Sequence, residues 1–355
     1  MAMAETPAIE LRDVWKVFGP DEARALAAAR GQGLGKAELL ARFDCVLGVA
    51  GVSLAVRPGE IFCIMGLSGS GKSTLVRHIN GLILPSAGEV LIEGDAIGAK
   101  APRALRRLRA EKIGMVFQSF ALLPHRTVLD NVAFGLELRE VSRERRLARA
   151  QEMLELVQLG GWGERWPDEL SGGMQQRVGL ARALAGDPDI LLMDEPFGAL
   201  DPLIRRQLQD QFLELARRVR KTTVFITHDL DEAMRFGNRI AIMRDGQVVQ
   251  LGTPAEIVGA PADAYVAAFV SGISRLKVVR AGDVMRPLAP AEAPPAGWPS
   301  AAAESDLGSL AGLAGQGAGG VVVVDAAGRP LGLLPTDALL RAIHGGPAPG
   351  ETAHG

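Results

Sequence analysis

The chain has little cysteine. Cys45 and Cys63 are the two thiols in 355 residues. They are too few for a disulfide framework and not at a metal-ligand spacing, which points to a reducing compartment. Long apolar runs are also missing. Nothing approaches the roughly 18 consecutive apolar residues that a membrane-spanning helix needs, so work at a bilayer requires another subunit to carry the chain there. Met1 to Arg12 lacks the basic-then-apolar pattern of a signal peptide. Neither charge sign is in excess. Lys and Arg total 39, Asp and Glu 41, and the net charge of −2 sets up no field that favours nucleic acid or an anionic membrane. What is present is ordinary globular material, 48% hydrophobic and 23% charged, enough for one large domain and a smaller one.

The strongest local pattern is Gly66-Leu67-Ser68-Gly69-Ser70-Gly71-Lys72-Ser73-Thr74, which fits G-x-x-x-x-G-K-[ST]. Glycines let the backbone curl until its N–H groups converge on a polyphosphate. Lys72 adds a mobile positive charge for the outer phosphates, and the Ser73 hydroxyl is a hard oxygen ligand for Mg2+. The apolar run Glu60–Met65 predicts a buried strand entering the loop, and Thr74–Leu84 a helix whose N-terminus faces the phosphates. Upstream, Ala8–Phe18 predicts an edge strand and Gly51–Val56 another strand. The Ala- and Leu-rich stretch 21–43, broken at Gly31–Gly35, predicts two short helices. Phe18 fits either a core position or stacking on a purine.

Downstream, Gly88–Gly94 and Lys112–Gln118 predict strands around a basic, solvated helix from Pro102 to Ala110. Gln118, at a strand end, is placed either to ligate Mg2+ or water or to cap a turn. Val128–Leu138 and Glu144–Val157 predict helices. Leu170-Ser171-Gly172-Gly173-Met174 then opens a helix that runs to Ala185 and makes a second anion-binding helix end. In Ile190–Glu195 an apolar strand delivers Asp194 and Glu195 at its C-terminal edge, where open α/β sheets bind ligands. Beside a phosphate loop, Asp194 suits the Mg2+ shell and Glu195 suits a water aimed at a γ-phosphate; without that loop both read equally well as helix caps. Thr222–Thr227 predicts a strand ending at His228, which is either structural or holds the γ-phosphate. Arg239–Gly252 reads as a hairpin turning at Asp245-Gly246.

Together these residues resemble the ATP-binding subunit of an ABC transporter, from about Ile9 to Ile273. The likeness rests on a Walker A motif (Gly66 to Ser73), a Q-loop (Gln118), the signature Leu170 to Met174, and a Walker B motif with catalytic glutamate (Asp194, Glu195). A D-loop (Ala199-Leu200-Asp201) and a switch histidine (His228) complete it. The resemblance implies an α/β P-loop ABC domain with a mixed sheet and a helical subdomain, and ATP with Mg2+ as cofactors. It implies catalytic roles for Glu195, His228, Lys72 and Gln118, and metal contacts from Ser73, Gln118 and Asp194. ATP would lie on residues 66–74 with Phe18 stacked on its base. Ser171, Gly172, Gly173 and Asp201 would act across a head-to-tail dimer of two such subunits. Met174 stands where the family more often has glutamine, and Phe18 where it more often has tyrosine.

The helical insert 21–43, the run Met115–His125 and the run His228–Arg235 resemble the ATPases of glycine betaine/proline-type osmoprotectant importers. That likeness implies membrane-spanning permease subunits as partners, an extracytoplasmic substrate-binding protein or domain acting indirectly, no nucleic acid, and a peripheral place on the cytoplasmic face of the membrane. Importers of amino acids or polyamines, and non-transport ABC ATPases, are the rival readings. Residues 119–185 form the expected helical signature subdomain of an ABC domain spanning 1–273. Residues 274–345 resemble a small α+β domain with a single CBS motif, in which Pro335 stands where the nucleotide-contacting Ser/Thr is usual, and 346–355 are expected to be a disordered tail.

Overall fold

The computed structural model describes residues 6–198, 200–289, 292–314 and 319–344. Ala199 of the D-loop and the tail 346–355 lie outside the described residues. The chain divides into two compact units, Met1–Val249 and Gln250–Gly355.

The first unit begins with β1 (Ile9–Phe18), the helices α1 (Glu22–Gln32) and α2 (Lys36–Phe43), and β2 (Val46–Val56). The two helices meet at left-handed Gly33, as the glycine-broken sequence predicts. Leu39, wholly buried, packs with Val17, Ala25, Ala28, Ala29 and Leu47 in a small core that anchors this insert. The chain continues through β3 (Ile61–Met65), α3 (Lys72–Ile79), β4 (Ala87–Ile92) and β5 (Asp95–Ala96). Two expectations fail here. β1 is no edge strand, because it pairs antiparallel with both β2 and β4 in a sheet ordered β2-β1-β4-β5. Register shifts beyond Leu11, Val14 and Lys16, with Asp13 at φ +46, interrupt its alternation and make an interior strand look irregular. Nor does α3 reach Leu84. Asn80 caps it and Gly81 turns at φ +62.

There follow α4 (Pro102–Lys112), β6 (Ile113–Val116), α5 (Val128–Leu138), α6 (Arg143–Leu156), α7 (Gly172–Ala185) and β7 (Ile190–Asp194). Then come α8 (Pro202–Val219), β8 (Thr222–Ile226), α9 (Leu230–Phe236), β9 (Arg239–Arg244) and β10 (Gln247–Gly252). The second sheet is ordered β10-β9-β3-β8-β7-β6, with β9, β3, β8, β7 and β6 parallel. Its inner strands read as unbroken apolar runs because both faces are covered. One core takes side chains from both sheets and from α3. The β9–β10 turn has Asp245 and Gly246 at φ +52 and +86, the primed turn expected of Asp-Gly.

The helices α5, α6 and α7 pack on one another. The carboxamide of Asn131, fully buried on α5, accepts from the Leu123 amide at 2.7 Å and donates to the carbonyls of Leu123, Arg126 and Thr127. It thereby fixes the loop before α5. Four phenylalanines, Phe197, Phe212, Phe225 and Phe236, pack ring against ring with centroids 5.4 to 6.2 Å apart.

The second unit holds α10 (Pro254–Gly259), α11 (Ala264–Val270), α12 (Arg275–Val278), α13 (Ala281–Val284) and β11 (Arg286–Pro287). It continues with β12 (Ser300–Ala302), α14 (Leu307–Ala314), β13 (Gly320–Val324), β14 (Pro330–Pro335) and α15 (Thr336–His344). Its sheet is ordered β11-β14-β13-β12. The units divide after Val249 rather than after 273, because α10 packs with α11 and α12. The strands expected near 319–325 and 331–334 and the final helix are present; β12, three residues of serine and alanine, and α14, whose leucines are separated by glycine, alanine and serine, were not legible.

Candidate functional site

The phosphate loop leaves β3 at Gly66, whose φ is +146. A Cβ there would lie 2.3 Å from the Met243 carbonyl, so glycine is required. Gly71, at φ +102, is constrained in the same way by the Gly48 carbonyl at 2.3 Å. Lys72 opens α3 and is 6% exposed. Its Nζ donates to the carbonyls of Gly66 at 2.8 Å and Leu67 at 3.1 Å, so the loop curls around its own cation. Burial lowers the Lys72 pKa, opposed by the carboxylates of Glu195 and Asp194. The Ser70 hydroxyl is buried with no hydrogen-bond partner among the described residues.

Ser73 Oγ donates to Asp194 Oδ1 at 3.3 Å, bringing together the two oxygens that the sequence offers to a metal. Burial pushes the Asp194 carboxyl up, with the Ser73 bond acting against it. Both are hard oxygen donors, as is the Gln118 amide oxygen, and this is the set Mg2+ takes. Among the described residues no group of three or more His, Cys, Asp and Glu side chains is placed to hold a metal.

Glu195 follows β7 directly in the left-handed region, at φ +44. Its Oε2 lies 3.0 Å from His228 Nδ1 and receives Gln118 Nε2 at 3.4 Å. A carboxylate only accepts, so His228 carries its proton on Nδ1 in this arrangement. Three loops that follow neighbouring strands thus converge on one carboxylate. Gln118 lies beyond the end of β6 at Val116 and not at the tip of a strand reaching 118.

Gln118, Glu195 and His228 line a cleft of about 780 Å³ together with Lys72, Ser73, Thr74 and Phe18. The Phe18 ring is 37% exposed and rests on Gly48, where a Cβ would come within 2.8 Å. It is a cleft wall and not a core side chain. Ser171, Gly172 and Gly173 do not line this cleft. Ser171 caps α7, its hydroxyl accepting from the Met174 amide at 3.4 Å. Asp201 caps α8 by accepting from the Leu203 amide at 3.0 Å.

Two further residues were given no role from the sequence. Lys36, in the insert, donates to the Gly69 carbonyl at 2.6 Å and lines the cleft. Glu232, buried on α9, accepts from the Thr227 hydroxyl at 2.5 Å and the Gln209 amide at 2.8 Å, bracing the turn that presents His228.

Residues 49–198 match the family model described as ABC transporter. The glycine betaine/proline betaine transport system ATP-binding protein ProV of Escherichia coli is 54% identical over 278 residues, 78% of this chain and 69% of the relative. The glycine betaine transport ATP-binding protein OpuAA of Bacillus subtilis is 52% identical, over 81% of this chain and 68% of the relative. The trimethylamine N-oxide transport system ATP-binding protein TmoW of Ruegeria pomeroyi is also 52% identical, over 81% and 84%. Among solved structures, the dimeric post-hydrolysis state of an ATP-binding cassette bound to ADP and Pi is similar at a TM-score of 0.58 and 34% identity. It covers 69% of this chain and 98% of that one.

Proposed function

We propose, for a chain that belongs to the ATP-binding proteins of ABC transporters, that it is the ATP-hydrolysing subunit of an importer for glycine betaine, proline betaine or a related methylated amine. The observation that carries the ATPase half is the meeting of Gln118, Glu195 and His228 at the mouth of the phosphate loop. The cargo half is supported by the relatives' transport systems.

ATP enters the cleft with its base against Phe18 and its phosphates on the loop at 66–74. Lys72 exchanges the Gly66 and Leu67 carbonyls for phosphate oxygens. Ser73, Asp194 and Gln118 would hold Mg2+, which would supply positive charge against the phosphates. Glu195 accepts a hydrogen bond from the attacking water and orients it. His228 and Gln118 hold that carboxylate at its angle. Two copies pair head to tail, with Ser171, Gly172, Gly173 and Asp201 of one closing over the ATP of the other; the dimeric ADP-bound cassette supports this. Permease subunits dock beside Gln118 on the segment 119–125, and a substrate-binding protein or domain delivers cargo to them. No helix among the described residues is long and apolar enough to cross a membrane; the relatives' transport systems support a peripheral place on the cytoplasmic face. The order β12-α14-β13-β14-α15 supports a single CBS-like motif in the second unit.

A second cargo, trimethylamine N-oxide, is favoured by the relative of which the chain covers 84%. Betaines and trimethylamine N-oxide all carry a methylated, positive nitrogen beside an anionic oxygen in one neutral molecule. Uptake of labelled glycine betaine, trimethylamine N-oxide and proline by a transport-null strain carrying the whole operon decides among them. Uptake of none of these, with uptake of a polyamine instead, overturns the cargo. A purified complex in which ATP hydrolysis does not respond to any solute overturns the transport reading.

A further inference from the structure

The insert formed by α1 and α2 sets a cation against the phosphate loop. Lys36, the first residue of α2, donates from Nζ to the Gly69 carbonyl at 2.6 Å and lies 3.9 Å from the Asp245 carboxylate in the β9–β10 turn. It lines the same cleft as Phe18, Lys72 and Ser73. Its backbone is firmly held. Leu39, one turn further along α2, is wholly buried in the small core shared with β1 and β2. Gly19, next to Phe18, packs so closely on Cys45 that a Cβ would come 2.6 Å from its Sγ. Lys36 and Phe18 therefore stand on one rigid piece of structure.

Gly69 has φ +77 and nothing within 4 Å of the place its Cβ would take, so its backbone conformation, not crowding, calls for glycine. A loop that binds anions presents its N–H groups to them and turns its carbonyls away. Lys36 donates to one of those carbonyls. Its side chain is 27% exposed, with Asp245 too distant for a hydrogen bond, so its charge is only partly screened within the structure.

We propose that Lys36 is a nucleotide-affinity residue supplied by the insert. It holds the Gly69 peptide so that the loop's N–H groups are left for phosphate, and it adds a positive charge to the wall of the cleft that a polyphosphate enters. The inference rests on the nucleotide-site reading above.

The test titrates the full-length wild type, K36M and K36R with MgATP, MgADP and adenosine by calorimetry, with unfolding midpoints recorded alongside. K36M is expected to weaken MgATP about tenfold, the scale of one charge-assisted hydrogen bond, to weaken MgADP less, and to leave adenosine unchanged. K36R restores most of the MgATP affinity, and added salt narrows the gap between wild type and K36M. Should K36M unfold, K36R carries the test against a wild type measured at the same salt, and it must bind MgATP within about threefold of wild type. Unchanged MgATP affinity in K36M overturns the proposal. So does equal weakening of all three ligands, or a folded K36R that binds no better than K36M. A wild type that binds no MgATP defeats the nucleotide-site reading itself, whereas a binding wild type matched by K36M defeats only this inference.

Discussion

Arg182, on the helix that the signature opens, donates from Nη2 to the carbonyl of Phe120 at 2.8 Å and from Nη1 to that of Ala121 at 2.6 Å. Both acceptors lie in the left-handed region, at φ +59 and +49. Burial lowers the guanidinium's pKa, though it stays charged at any working pH. One side chain thus ties α7 to the loop proposed to dock the permease. Arg182→Met should leave ATP binding intact and cost about 1–3 kcal/mol in a urea titration, the price of two carbonyls left without donors. In the reconstituted complex, ATP hydrolysis should no longer follow transported solute. A solute-to-ATP ratio equal to wild type would show that the clamp transmits nothing.

Glu195→Gln keeps a hydrogen-bonding side chain of the same size but loses the carboxylate that accepts from water. Nucleotide binding should persist and hydrolysis should fall by two to three orders of magnitude or about 3–4 kcal/mol. The ATP-bound dimer should then accumulate in a sizing column. Phosphate release near the wild-type rate would remove Glu195 from its assigned role.

Ser171→Arg puts a long cation at the start of α7, outside the cleft of its own chain. MgATP should still bind the monomer with unchanged affinity, while ATP-driven dimerisation and turnover are lost. Lys72→Ala should instead lose binding, because the cation at the centre of the loop is gone. If the two variants fail at the same step, the division of labour between the two helix ends is wrong.

Burial raises the pKa of Glu232 above the ordinary carboxylate value, with the bonds from Thr227 and Gln209 opposing the rise. In the native state this group therefore holds its proton to higher pH than in the unfolded chain. Its contribution is most favourable below the unfolded value and is lost as pH climbs through the folded one. Glu232→Gln removes that titration. The stability of wild type relative to the variant should fall as pH rises from about 4 toward neutral, read from urea midpoints at each pH. A difference that grows with pH reverses the sign and the explanation.

Motif spacing made the nucleotide site legible because phosphate chemistry constrains consecutive residues. Gly66, Gly71, Lys72 and Ser73 stand at a fixed spacing in one short stretch, even though Gly66 and Gly71 also meet distant carbonyls and Ser73 reaches Asp194. The parallel strands were legible because two-sided burial writes them as apolar runs. The interior place of β1 was not, since bulges erased its alternation. Lys36 was not either. It reaches Gly69 across 33 positions of sequence, and a lysine at the start of an Ala- and Leu-rich helix reads as solvated surface. Glu232 lies in the run His228–Arg235, but its burial against Gln209, 23 residues away on another helix, was not legible.

The four phenylalanines, packed edge-on and tilted, bear on how the edge that carries the proposed catalytic residues can deform. Phe197 sits just past Glu195, Phe225 just before His228, Phe212 on α8 and Phe236 at the end of α9, and each ring touches the other three. Interlocked rings resist shear, so the glutamate and the histidine are bolted to a common plate. Any opening of this face between turnovers has to bend at joints outside that plate. Gln118, which hangs on a separate loop and holds Glu195 through one long hydrogen bond, is the contact that such a bend would break first.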